Sequence, residues 1–99
     1  MYIIQFAGEA FRDMQNLPKF IKLQVKQGID KLCKNPFIGD YLERELKGLW
    51  SLHIGDCRII YEIIEKRKEI IIYTVDFRKT VYRKKWLKKR ANKIRKNKI

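Results

Sequence analysis

The fold is decided by residues 50–77, which read WSLHIGDCRIIYEIIEKRKEIIIYTVDF. Three runs rich in β-branched and aromatic residues, at 50–54, 57–65 and 70–77, are separated by short polar segments. Separators of this length predict antiparallel hairpins. The middles of the second and third runs are apolar at consecutive positions, so we expect both faces of the sheet to be covered.

The residues before this stretch predict a first strand and a helical hairpin. Residues 2–6 are apolar and β-branched, whereas Ala10, Phe11, Met14 and Leu17 follow helical spacing. A second amphipathic helix is predicted from about Pro18 to Lys34. A further strand is predicted at Glu43–Leu46, ahead of a Lys-Gly turn. The helical hairpin can cover only one face of the sheet, and the element order predicts an α+β fold.

Charge divides the chain into two parts. The 99 residues, a length that fits one domain, contain 24 Lys and Arg against 11 Asp and Glu. Residues 78–99 hold 12 of these cations and no acid. From Lys79 onward the spacing of the apolar residues is helical again, so a basic C-terminal helix is expected. Such a segment attracts polyanions, but charge alone does not separate RNA, DNA, acidic protein and membrane surface.

Several classes of protein are not expected from this composition. Cys33 and Cys57 form no C-x-x-C motif and have no histidine cluster beside them, so we expect no metal site and no cofactor. The N-terminus does not resemble a signal peptide, and the longest apolar run is too short to span a bilayer. We therefore expect a cytoplasmic protein without a membrane partner.

Two arginines are candidates for binding an anion. Arg58 begins one strand and Arg78 ends the next, so antiparallel pairing places them close together. Guanidinium groups at neighbouring strand ends can hold one phosphate group through bidentate hydrogen bonds. We expect Lys47, His53 and Tyr82 to converge on the same concave patch.

The stretches LKGLWSLHIGDCRIIY at 46–61 and DFRKTVYR at 76–83 resemble the RelE/ParE toxin superfamily. The resemblance extends from the first strand to Arg83. It implies a helical hairpin packed on a twisted, mostly antiparallel sheet, as in RelE-like toxins. For RelE-like members it also implies cleavage of messenger RNA on the ribosome and a complex with a RelB-like antitoxin. We expect a toxin domain whose main part is residues 1–83, and a basic helical extension of the same domain at 84–99.

The resemblance and the local chemistry together suggest roles for individual residues. RNA can be cut by attack of its own 2′-hydroxyl on the adjacent phosphate, without a metal. Arg58 and Arg78 suit stabilisation of the phosphorane charge. His53, or a lysine with a lowered pKa, suits the base, and Tyr82 suits the acid or a base-stacking platform. The catalytic candidates are Arg58, Arg78, Tyr82, Lys47 and His53. The candidates for binding RNA or the ribosome are Lys79, Arg83, Lys84, Lys85, Lys88, Lys89 and Arg90.

Other functions and ordinary structural roles remain open from the sequence. A ParE-like inhibitor of DNA gyrase would share the fold without RNA chemistry, and a non-catalytic RNA-binding module would use only the basic segment. His53 can be a structural strand histidine, and Tyr82 can simply pack on Trp86. Arg58 can pair with Glu62 or Asp56 instead of a ligand.

Overall fold

The computed structural model describes residues 1–97, so the last two residues of the expected 84–99 extension lie outside the described residues. Five strands and four α-helices follow one another within these residues. They are β1 (Ile3–Phe6), α1 (Ala10–Gln15), α2 (Lys19–Lys34), β2 (Asp40–Tyr41), β3 (Trp50–Ile54), β4 (Cys57–Ile64), β5 (Glu69–Phe77), α3 (Arg78–Val81) and α4 (Trp86–Asn97).

The strands form one sheet in the order β1-β5-β4-β3-β2. The three strands predicted between residues 50 and 77 pair as consecutive antiparallel hairpins. β1 joins the free edge of β5 in parallel, while β2 pairs antiparallel with the start of β3. The expected α+β fold with a mostly antiparallel sheet is therefore confirmed.

The helical hairpin covers the first face of the sheet. Val25, Ile29 and Leu32 of α2 are buried in one cluster with Ile59 and Ile72 of the central strands. The apolar stripe predicted for residues 18–34 thus faces the sheet, and its lysines lie largely outside it.

The basic C-terminal helix packs on the second face of the sheet. Leu87, Ala91 and Ile94 of α4 are buried in a second cluster with Ile60 and Tyr73. This arrangement explains why the central strands are apolar at consecutive positions, because each face meets a different helical layer. The C-terminal segment is therefore part of the hydrophobic core as well as a carrier of charge.

The strand predicted at Glu43–Leu46 is wrong. Residues 44–46 form a 3-10 turn, in which the amide of Leu46 donates to the carbonyl oxygen of Glu43 at 3.2 Å. Leu42 and Leu46 both pack against the second cluster, whereas Arg44, which would share their face in a strand, is exposed. The short strand β2 instead lies upstream, where Tyr41 pairs with Trp50.

No helix within residues 1–97 is both long enough and apolar enough to cross a membrane.

Candidate functional site

A cleft of about 560 Å³ lies where the β3–β4 turn meets the end of β5. His53 of β3 stands directly opposite Arg58 of β4 in the antiparallel register. The backbone amide of Arg78 donates to the carbonyl oxygen of Asp56 at 2.8 Å, which fixes the start of α3 beside the turn. The cleft is lined by His53, Gly55, Asp56, Arg58, Phe77, Arg78 and Lys79.

The cleft has an excess of positive charge. Arg58, Arg78 and Lys79 contribute three cations, against the single carboxylate of Asp56. The Nη1 atom of Arg58 donates to the carbonyl oxygens of Cys57 at 3.0 Å and, more weakly, of Gly55 at 3.4 Å. Among residues 1–97, no carboxylate lies within salt-bridge distance of either arginine.

Glu62 does not neutralise Arg58. Its carboxylate accepts a hydrogen bond from the hydroxyl of Tyr73 at 2.6 Å, further along the second face of the sheet. Burial and this hydrogen bond raise the pKa of Tyr73, so the phenol remains the donor. A larger cavity of about 860 Å³ adjoins Glu62 and α4. Its lining includes both acidic and basic residues, but neither Arg58 nor Arg78.

Tyr82 is not among the residues that line this cleft. Its hydroxyl is 3.3 Å from the Oγ atom of Ser51. Ser51 and His53 share one face of β3, about 7 Å apart along the strand. Tyr82 therefore reaches the same face of the sheet as His53 and Arg58.

Lys47 does not line this cleft either. It lies before the start of β3, whereas His53 is near the end of that strand. Its backbone carbonyl accepts a hydrogen bond from Nη1 of Arg95 at 2.7 Å. Three of the five predicted catalytic residues, His53, Arg58 and Arg78, thus line the cleft, and the convergence of all five stays a prediction.

The basic residues after Arg78 differ in their surroundings. Lys84 contacts two carboxylates, Lys88 pairs with Glu45 at 2.8 Å, and Arg90 lies over the ring of Tyr73. The ammonium of Lys88 lowers the pKa of Glu45. Four other predicted binding residues are exposed and have no carboxylate partner in the described part of the chain: Lys79, Arg83, Lys85 and Lys89.

Sequence reasoning missed three contributors near the site. Ser51 links Tyr82 to β3, and Asp56 supplies the carbonyl oxygen that fixes Arg78. Asp76 lies opposite Arg58 across the β4–β5 pair. The sequence could have identified Asp76, because the short segment between β4 and β5 restricts the hairpin register and so the residue that faces Arg58.

This arrangement suits reactions at an oxyanion. Two guanidinium groups can hold a phosphate group and stabilise charge that develops on it. An imidazole and a phenol on the same face can accept and donate protons. Within residues 1–97, no group of three or more His, Cys, Asp or Glu side chains is placed to hold a metal ion.

Comparisons with known proteins find similarity to RelE and ParE toxins. The family model described as "ParE toxin of type II toxin-antitoxin system, parDE" matches residues 4–82. Toxin RelG of Mycobacterium tuberculosis is 32% identical over 85 residues, which is 84% of this chain and 98% of that toxin.

Two solved complexes have the same fold. The toxin–antitoxin complex RelBE2 of M. tuberculosis contains a chain with a TM-score of 0.71 and 33% identity, covering 78% of this chain and 98% of that one. The archaeal RelE–RelB complex of Pyrococcus horikoshii gives a TM-score of 0.65 and 26% identity, covering 78% and 94% of the two chains.

Proposed function

Because the chain belongs to the RelE/ParE superfamily of toxins of type II toxin–antitoxin systems, we propose that it is a cytoplasmic endoribonuclease that cleaves messenger RNA on the ribosome. The observation that supports this proposal most strongly is the cleft in which Arg58 and Arg78 meet beside His53. Neither arginine has a carboxylate partner among the described residues, so both are available to a phosphate group.

The proposed reaction uses the nucleophile that RNA itself carries. The 2′-hydroxyl oxygen attacks the adjacent phosphorus, and the bond from phosphorus to the 5′-oxygen breaks, leaving a 2′,3′-cyclic phosphate and a 5′-hydroxyl. His53 accepts the proton of the 2′-hydroxyl, and Tyr82 donates a proton to the departing 5′-oxygen. Arg58 and Arg78 stabilise the charge of the phosphorane.

The exposed cations around the cleft have a supporting role in this proposal. Lys79 lines the cleft, Arg83 and Lys85 are exposed in the connection between α3 and α4, and Lys89 is exposed on α4. Contacts of such residues with phosphates position an RNA or a ribosome without reading its sequence.

A RelB-like antitoxin is the proposed protein partner. The two solved complexes described above each contain an antitoxin with their toxin. We expect a cognate antitoxin to copurify with this chain and to suppress its effect on translation.

The proposal is tested by adding the purified protein to translating ribosomes and mapping new RNA ends. The wild type should generate ends with 5′-hydroxyl groups, and Arg78→Ala should generate at least about a hundredfold fewer, as for loss of one oxyanion donor. Arg12→Ala is the matched control, because its side chain is 69% exposed and, within residues 1–97, pairs only with Glu9. RNA binding without new ends would indicate a non-catalytic RNA-binding module instead.

A ParE-like inhibitor of DNA gyrase is the second candidate, and the matching family model favours it. A supercoiling assay run beside the translation assay separates the two functions. Inhibition of gyrase with unchanged translation would replace the endoribonuclease proposal.

A further inference from the structure

Lys84 joins three elements of the fold at one partly buried point. Its side chain is only 18% exposed, and it lies in the short connection between α3 and α4. Its Nζ atom is 2.7 Å from Oγ1 of Thr74, 3.2 Å from Oδ2 of Asp13 and 3.3 Å from Oδ2 of Asp76. The ammonium is thus committed to two carboxylates, which makes it a poor contact for an RNA phosphate.

One of these carboxylates stands next to the cleft. Asp76 of β5 is directly opposite Arg58 of β4, so the two side chains leave the sheet on the same face. Side chains in such a pair have Cβ atoms about 5 Å apart, a separation at which Asp and Arg readily form a bidentate salt bridge. That salt bridge is not formed here.

Asp76 and Arg58 each have other partners. Oδ1 of Asp76 accepts a hydrogen bond from the backbone amide of Phe77 at 2.8 Å, while Oδ2 contacts Lys84. Arg58 donates only to backbone carbonyl oxygens among the described residues. The carboxylate is therefore turned toward Lys84, and the guanidinium is turned toward the turn and the cleft.

We propose that Lys84 is a positioning residue that keeps Asp76 away from Arg58 and so leaves the Arg58 guanidinium free for a phosphate group. The inference rests on the proposed function in taking a phosphate group as the ligand of Arg58. Without the ammonium, Asp76 pairs with Arg58, and a phosphate must then displace a carboxylate before it binds. The second carboxylate, Asp13 of α1, also contacts Lys84, but it lies on a helix and is not the strand partner of Arg58.

The geometry provides a rescue test with a matched control. Lys84→Met removes the ammonium, and the double variant Lys84→Met with Asp76→Asn also removes the competing charge. Asp13→Asn removes the other carboxylate contact of the same lysine. Inorganic phosphate is titrated into each full-length protein at about pH 6, and the NMR signal of the Arg58 Nε–H group reports binding.

We expect Lys84→Met to weaken phosphate binding at Arg58 roughly tenfold, about the effect of one charge-assisted hydrogen bond. The double variant should recover wild-type affinity within about a factor of two, and Asp13→Asn should bind as the wild type does. Equal losses in Lys84→Met and the double variant would overturn the proposal, because Lys84 would then act by contacting the anion or by holding the fold.

Folding and cleavage are followed separately. If Lys84→Met is unfolded by circular dichroism, Asp76→Asn alone decides: retained or stronger phosphate binding supports the proposal, and weaker binding shows that Asp76 orients Arg58 instead. If phosphate binding at Arg58 depends on Lys84 as expected but no RNA ends appear on ribosomes, the positioning role stands and the endoribonuclease proposal fails.

Discussion

Arg58 lines the cleft, and its guanidinium donates a hydrogen bond to a backbone carbonyl oxygen. The planar shape of this group distinguishes it from the ammonium of a lysine. Arg58→Lys preserves the charge but loses the fork of donors that matches two phosphate oxygens. We expect RNA cleavage to fall about a hundredfold, since one donor to the developing oxyanion is lost. Single-turnover cleavage on ribosomes measures this change. Arg12→Lys should cleave normally, and equal activity of the two variants would contradict a bidentate role for Arg58.

Tyr61 tests the packing of the first face of the sheet. Its ring is fully buried, and its hydroxyl donates to the carbonyl oxygen of Pro36 at 2.6 Å. Tyr61→Phe leaves this carbonyl without a partner, so we expect a loss of about 1–3 kcal/mol in the free energy of unfolding at pH 7. Urea denaturation measures it. Tyr41→Phe, at a residue 42% exposed, should change stability by less than about 0.5 kcal/mol.

The same tyrosine gives a pH dependence with a defined sign. Burial raises the pKa of Tyr61 to about 12, above the value near 10 of an unfolded tyrosine. The folded state therefore holds the proton more tightly, and the contribution is complete below pH 10 and is lost as the pH rises toward 12. We expect the stability gap between the wild type and Tyr61→Phe to shrink across this range. A gap that stays constant would show that Tyr61 ionises equally easily in both states.

Single residues differ in how far sequence alone could place them. Arg58, Arg78 and His53 follow from strand alternation and hairpin register, because the partners are joined by short turns. The role proposed for Lys84 could not be predicted, since its contact with Asp76 depends on how the connection between α3 and α4 folds back against β5. Nothing in a list of lysines shows which ammonium is met by two carboxylates.

At the scale of elements, α4 was expected to carry positive charge, and in the structure it also forms part of the hydrophobic core. Leu87 is 1% exposed and packs over the second face of the sheet. We expect Leu87→Ala to lower the free energy of unfolding by about 2–4 kcal/mol, the range for deletion of a buried leucine side chain. Lys89→Ala on the exposed side of the same helix is the control, and it should stay within about 0.5 kcal/mol of the wild type. Equal, small effects would mean that α4 is not docked in solution.

The elements also show where a local pattern gives too little information. The three long strands and α2 were predictable because each has a sustained period that burial enforces. Residues 40–46 are too short for a period to be counted, and the choice between strand and turn there depends on contacts with distant residues. Leu42 and Leu46 pack on the α4 cluster, and this tertiary contact places the turn after β2.

At the scale of the whole molecule, the distribution of cations matters more than their number. The exposed cations of α4 lie over the second face of the sheet, whereas the lysines of α2 lie over the first face. We expect Lys85→Glu with Lys89→Glu to weaken binding to single-stranded RNA and to ribosomes, because both side chains are exposed without carboxylate partners in the described chain. Fluorescence anisotropy across a series of salt concentrations measures the change.

Salt dependence separates contact from net charge. Each phosphate contact with a single strand contributes about −0.7 to the slope of log affinity against log salt, so losing two contacts should reduce the slope by about 1.4. Lys19→Glu with Lys26→Glu makes the same change in net charge on α2, where both side chains are exposed. That control should leave the slope nearly unchanged. If both double variants flatten the slope equally, RNA responds to the total charge of the molecule, and the surface formed by α4 and the cleft is not its binding site.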